Sequence, residues 1–148
     1  MNIEAITHYV QLSEKIATSG QPTERQFGDI ARHGYKAVIN LAMPDSAGAM
    51  DNESAIVTAH GLSYFHIPVP FDAPEKRHLA VFIKLMAALE SEQVWVHCAK
   101  NYRVSAFMFH YQQWVGELSA QEAQSILYTG WRPDKVWQTF LAIDLNDI

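Results

Sequence analysis

The chain contains one cysteine, Cys98, in 148 residues. No intrachain disulfide can form, and any mechanism that needs a resolving thiol must take it from another molecule. No run of about eighteen apolar residues is present to span a membrane. No charged-then-apolar N-terminal segment with a small-residue cleavage site precedes the body of the chain, so a soluble, cytoplasmic protein is expected. Basic residues are scarce: 11 Lys and Arg stand against 16 Asp and Glu, giving a net charge of -5. Without a cationic run, neither nucleic acid nor a membrane surface is expected as the partner. The seven histidines show no pair four apart with an acidic third ligand, so no metal and no cofactor is expected. Internal repeats and low-complexity segments are also lacking.

What is present is apolar residue in quantity. At 49% hydrophobic composition the chain can bury a sizeable core, and its length fits one domain over residues 1–148. Residues 7–19 read as two short strand-like pieces, broken by Gly20, Gln21 and Pro22. Thr23 with Gln26 has capping-box form and opens a helix that buries Phe27, Ile30 and Ala31 and stops at Gly34. Residues 35–41 form a continuous apolar strand of the kind buried on both faces of a parallel sheet. A short helix over 52–60 and a strand over 64–69 make a second β-α-β unit. A helix carrying Leu79, Phe82, Ile83, Met86 and Leu89 follows, then a strand over 93–97 and a helix over 103–116. Ser119 with Glu122 opens a helix through Leu127, and Pro133 opens a last one with Val136, Trp137, Phe140 and Leu141 inward. This alternation predicts an α/β fold: a three-layer α/β/α sandwich with a mostly parallel sheet of four or five strands and right-handed crossovers.

The chemistry concentrates in VWVHCAKNYRVSAFMF, residues 94–109. A short apolar strand ends at His97 and Cys98, and Val104, Phe107, Tyr111 and Trp114 then recur at helical spacing. The link from Cys98 to Arg103 therefore lies at a helix start, where unpaired N–H groups and the helix dipole stabilise an anion, either a thiolate or a phosphate-like oxyanion. A free thiol with a pKa of about 8.5 is only a few per cent ionised at neutral pH, and lowering that value by roughly two to three units makes it mostly nucleophile. Lys100 and Arg103 add positive charge. Arg103 is the better specific contact, because its planar fork holds two oxygens of a tetrahedral anion at once. Taken singly, a strand-end Cys is usually a small buried hydrophobe and the Arg a surface charge. In strand-HC-loop-R-helix order they point to a catalytic or anion-binding loop.

On these residues, HCAKNYRVS resembles the phosphate-binding loop of cysteine-dependent protein tyrosine and dual-specificity phosphatases. That loop normally has five residues between Cys and Arg. Here Ala99, Lys100, Asn101 and Tyr102 make four, and Val104 intervenes before Ser105. The shorter loop occurs in the DUF442 proteins, a bacterial group similar to these phosphatases, and in rhodanese-like sulfurtransferases. The block SGQPTERQFGDIARHGYKAVINL also resembles the N-terminal half of DUF442 proteins, so the resemblance extends from about residue 12 to residue 115. It implies a phosphatase-like fold and hydrolysis of a phosphate monoester, carried by a phosphorylated protein or a small molecule. Cys98 would be the nucleophile, with Arg103 and the N–H groups of residues 99–103 as the anion cradle. His97 would support Cys98, and Ser105 would assist departure of the thiolate. Asn101 takes a place where Gly is common, as the residue that next most readily adopts a left-handed backbone.

The same resemblance places a proton donor in the loop of residues 70–75, where Asp72 stands and Glu75 is the reserve. A basic leaving oxygen departs slowly unless a positioned acid protonates it. The plainer alternative makes Asp72 a helix-terminal carboxylate favoured by the dipole, with Pro74 opening the first turn. Two other functions compete: a rhodanese-like sulfurtransferase with a persulfide on Cys98 and Asp72 idle, or a non-catalytic phosphate-binding module. The loop from Met43 to Asp51 either borders the site or merely connects. Trp131 and Arg132 either reach the pocket rim or, as is commoner for an aromatic in a turn between helices, serve packing.

Overall fold

The computed structural model describes residues 2–148. Its elements are β1 (Val10–Gln11), β2 (Ile16–Ser19), α1 (Glu24–Arg32), β3 (Ala37–Asn40), α2 (Glu53–Ala59), β4 (Ser63–His66), α3 (Lys76–Ala88), β5 (Val94–His97), α4 (Tyr102–Trp114), α5 (Ala120–Ala123) and α6 (Lys135–Leu141). Single 3-10 turns cover Ile3–Ala5, Gln124–Ile126 and Leu145–Asp147. The sheet has five strands in the order β1-β2-β5-β3-β4; β1 pairs antiparallel with β2, and the other pairings are parallel.

The most apolar strands lie inside. Every residue of β3 and β5 is buried, as a strand covered on both faces requires. Side chains alternate across the pleat. Val94, Val96, Ala37 and Ile39 face one layer with α3, α4 and α6, whereas Trp95, Val38 and Ala17 face the other with Phe27 and Ile30 of α1 and Ile56 and Val57 of α2. This is the expected three-layer sandwich, and β1 accounts for the one antiparallel edge.

The register matters more for the site than the layers do. Ser19 of β2 and Asn40 of β3 both stand opposite His97 of β5, and Asn40 stands opposite His66 of β4. Four parallel strands thus end at one level, and their following loops converge on one edge of the sheet, the place where such sheets bind ligands.

Local signals held where capping chemistry set them. Thr23 and Gln26 cap α1 reciprocally, and Ser119 and Glu122 do the same for α5. Two expectations are corrected. Pro133 does not open the last helix, because Asp134 is its N-cap and accepts from Trp137 N at 3.0 Å, which starts α6 two residues later. Val136 then points outward and is exposed, while Trp137 and Phe140 go into the core. The helix predicted through Leu127 is α for one turn and tightens to 3-10 from Gln124. Among the described residues no helix is long and apolar enough to cross a membrane.

Candidate active site

At the strand-end edge lies a cavity of about 490 Å³ lined by three loops. The loop after β5 contributes Cys98, Ala99, Lys100, Tyr102 and Arg103; the loop after β4 contributes Pro70, Phe71 and Asp72; the loop after β3 contributes Met43, Asp45, Ser46 and Ala47. The segment after β2 supports the others from beneath. Gln21 N–H donates to the Ala99 carbonyl at 3.0 Å, and Gly20 passes so close that a Cβ there would come within 2.5 Å of the same oxygen. The Ala99 carbonyl is thereby turned toward this segment.

The Cys98 loop closes through a left-handed residue. Asn101 has φ 67°, and α4 begins at the next residue. Its amide is not part of the cavity: Nδ2 donates to His8 O at 2.8 Å and to Thr18 Oγ1 at 3.1 Å, fastening the loop to the N-terminal segment and β2. The backbone N–H groups of Ala99, Lys100, Tyr102 and Arg103 find no backbone acceptor among the described residues. They stand at the start of a thirteen-residue helix, a position that favours an anion.

Arg103 is 4% exposed. Nη1 donates to Val69 O at 2.9 Å and Nη2 to Ser46 Oγ at 3.3 Å, while Nε, also buried, has no partner. The ring of Phe71 lies 5.6 Å from the guanidinium carbon. No carboxylate pairs with this cation among the described residues. A buried charge without a counter-ion is costly by several kcal/mol, on the order of the penalty for any ion removed from water, and an arriving anion removes that cost. Ser46 also answers the question of the Met43 to Asp51 loop: it borders the site and braces the guanidinium.

Asp72 is exposed on the cavity wall and makes no hydrogen bond or ion pair among the described residues. It does not cap α3. That position belongs to Glu75, whose N–H donates to His78 Nδ1 at 3.0 Å and whose carboxylate lies 3.4 Å from Arg77. Glu75 is outside the cavity lining, so the reserve donor is engaged at the helix start. The loop is tied down behind Asp72: Trp137, wholly buried, donates its indole N–H to Phe71 O at 2.7 Å. Trp131 stacks on Tyr102 at 5.3 Å and meets Trp137 edge-on, so it is packing behind the rim.

Besides Asn101, two expected residues are not brought to the cavity. Ser105 Oγ donates to Tyr102 O at 2.9 Å and accepts from Tyr128 N at 3.1 Å, which uses the hydroxyl to hold the α5–α6 segment against α4. The extra residue Val104 places it one position round the helix from where it would face the thiol. His97 is fully buried in the opposite layer, against Glu53. Sequence reasoning passed over Glu53, Ser46 and Trp137, since each acts through a contact far away in the chain.

The model of the family described as DSP-PTPase phosphatase fused to NAD+ kinase matches residues 6–134. A DUF442 protein of Shewanella putrefaciens CN-32 is 30% identical in sequence; the match covers 94% of this chain and 91% of that one, with a TM-score of 0.85. Tk-PTP in its active form superposes with a TM-score of 0.77 at 20% identity, over 90% of this chain and 93% of that one, and P. aeruginosa TpbA with 0.74 at 19%, over 95% and 88%. At those identities the likeness concerns the fold. The beta-lactamase hydrolase-like protein of Xylella fastidiosa is 34% identical over 98 residues, 64% of this chain and 22% of that protein. The aligned part is thus about a fifth of the length of this curated relative.

Proposed function

Because the chain belongs to the family of dual-specificity and tyrosine phosphatase domains fused to NAD+ kinase, we propose that it hydrolyses phosphate monoesters, phosphotyrosine-like ones in particular, through a phosphocysteine intermediate. The observation that carries this reading is Arg103: a buried guanidinium with no carboxylate partner and a free Nε, set in the same cavity as the only cysteine. The Cys98 thiolate attacks phosphorus. As the P–S bond forms, the P–O ester bond breaks and the departing oxygen takes the proton of Asp72. Arg103 and the loop N–H groups hold the equatorial oxygens, where charge accumulates. Water then attacks the phosphocysteine and gives a proton to the Asp72 carboxylate, and the thiolate leaves with phosphate released. P. aeruginosa TpbA, of the same fold, has been solved in complex with pTyr, which supports an aryl phosphate as the substrate class.

The four-residue interval between Cys98 and Arg103 favours, as a second reading, a rhodanese-like sulfurtransferase with a persulfide on Cys98. A paired assay separates the two: aryl phosphate hydrolysis against sulfur transfer from thiosulfate to cyanide, each with Cys98→Ser as control. Hydrolysis abolished by Cys98→Ser is expected. Sulfur transfer without hydrolysis overturns the phosphatase function, and phosphate binding without turnover of either kind reduces the site to recognition.

A further inference from the structure

Successive residues of a strand leave it on opposite faces, so His97 and Cys98 part company at the end of β5. Cys98 joins the layer of Val104 and Phe107. His97 enters the other layer, where its ring lies 5.9 Å from that of Phe27 and its Nε2 lies 2.8 Å from Oε2 of Glu53, the first residue of α2. Its Nδ1 lies 3.1 Å from the carbonyl oxygen of Cys98. A carbonyl only accepts, so Nδ1 carries a hydrogen.

Glu53 is 4% exposed and is surrounded by donors. Gln21 Nε2 donates to Oε1 at 2.7 Å. The Tyr64 hydroxyl also bonds to Glu53, its own oxygen accepting from Asn40 Nδ2 at 3.0 Å. Burial works against the carboxylate, but the hydrogen bond and charge of His97, with Gln21 and Tyr64, outweigh it and hold Glu53 below the usual carboxylate range. With Gln21 and Tyr64 both donating to it, the Glu53 carboxylate is placed to accept from Nε2 as well. Both ring nitrogens then carry hydrogen, and the ring bridges a carboxylate and the Cys98 peptide.

We propose that Glu53 is a positioning residue for the Cys98 nucleophile: it keeps His97 doubly protonated, and His97 in turn holds the Cys98 carbonyl away from the cavity and sets a positive charge behind the thiolate. This inference rests on the phosphatase function above for its purpose, though not for its test. Around Cys98 the charged groups are Lys100 and Arg103 on its own loop and helix, Asp72 from the loop after β4 and Asp45 from the loop after β3. Around His97 the charged group in hydrogen-bond contact is Glu53, and Asp29 of neighbouring α1 is paired with Arg32. A neutral amide in place of Glu53 can still meet Nε2, but as a donor to it, and the second proton is lost.

The test needs no turnover, because Cys98 is the only thiol and its alkylation reports on it alone. In the wild-type protein, nitrogen NMR at about pH 7 is expected to show both His97 nitrogens protonated. Glu53→Gln is expected to convert the ring to a neutral form and to raise the pH midpoint of alkylation by about one unit, or roughly tenfold less thiolate at neutral pH. In a His97→Asn background the same Glu53→Gln change is expected to add nothing, since the effect passes through the imidazole. A singly protonated His97 in the wild type overturns the proposal, as does an unmoved midpoint in folded Glu53→Gln, or an equal shift without His97. Should Glu53→Gln fail to fold, the wild-type nitrogen spectrum decides alone. Loss of the phosphatase function in the paired assay leaves each of these outcomes readable.

Discussion

Replacing Asp72 by Asn keeps the size of the side chain and removes the proton it would donate. The structure separates the two consequences of that change. Asp72 is exposed, unpaired among the described residues and three positions ahead of the true N-cap of α3, so no helix start depends on it. Its replacement should therefore alter stability by no more than about 0.5 kcal/mol, the range for a surface site. Had it been the cap, the loss would be roughly 0.5 to 2 kcal/mol. The catalytic loss should be larger by far, because general acid catalysis contributes about 10² to 10⁴-fold where the leaving oxygen is basic and little where it is not. Rates for a series of aryl phosphates, plotted against leaving-group pKa, should fall more steeply in Asp72→Asn than in the wild type. The alkaline limb of the wild-type profile, where the acid form is depleted, should flatten in the mutant. An unchanged slope with an unchanged melting temperature would refute the assignment and, since Glu75 is engaged at the helix start, direct attention to Asp45 in the same cavity lining.

Arg103→Lys keeps the charge but loses the fork that reaches Val69 O and Ser46 Oγ and leaves Nε for an anion. Two charged hydrogen bonds at about 1.5–3 kcal/mol each correspond to a turnover loss on the order of 10² to 10⁴-fold, measurable as kcat/KM together with vanadate binding; turnover within a few-fold of wild type would remove Arg103 from the role. Trp137→Phe retains the ring packing but deletes the donor to Phe71 O, and should reduce turnover of poor leaving groups more than good ones, with stability falling by about 1–3 kcal/mol. An equal loss on both substrates would confine Trp137 to packing. His110, buried against Phe140 O with its Nδ1 unpartnered, has its pKa pushed down by burial, which the Phe140 bond only partly offsets. The unfolded chain then binds this proton more readily, so the stability linked to His110 is full above about pH 6.5 and is lost as pH falls below it. Glu53, lowered in the fold, adds a second loss at more acid pH, full above about pH 4.5 and fading as pH drops through the folded value. Denaturant titrations across this range, with His110→Asn flattening the upper step, check both.

Much of this was legible in the chain because it is written in local chemistry. The capping pairs Thr23–Gln26 and Ser119–Glu122 involve contacts three residues apart, and the strands over 35–41 and 93–97 announce their burial by continuous apolar runs. Cys98 and Arg103 are read from a junction a few residues long. The rest depends on contacts distant in the chain. Glu53 is an unremarked helix-start carboxylate until the strand pleat sends His97 across 44 positions to meet it. Ser46 lies 57 positions from the guanidinium it braces and Trp137 66 from the carbonyl it holds. Ser105 was expected at the thiol because the resemblance implied a hydroxyl there close after the Arg, but the helix turns it toward Tyr128.

The close pass of Gly20 beneath Ala99 bears on affinity more than on chemistry. A loop that must organise itself around its ligand spends part of the interaction energy on lost freedom, whereas one moulded beforehand by the rest of the fold does not. Here the mould is the turn after β2, whose backbone fits under the Ala99 oxygen only because position 20 has no side chain. Under the proposed function, ordering of the Cys98 loop is thus assigned to folding, and an anion would meet a loop already set. A methyl group at Gly20 would push that carbonyl by several tenths of an ångström or more, and inorganic phosphate would bind more weakly to a protein whose Cys98, Arg103 and Asp72 were all intact.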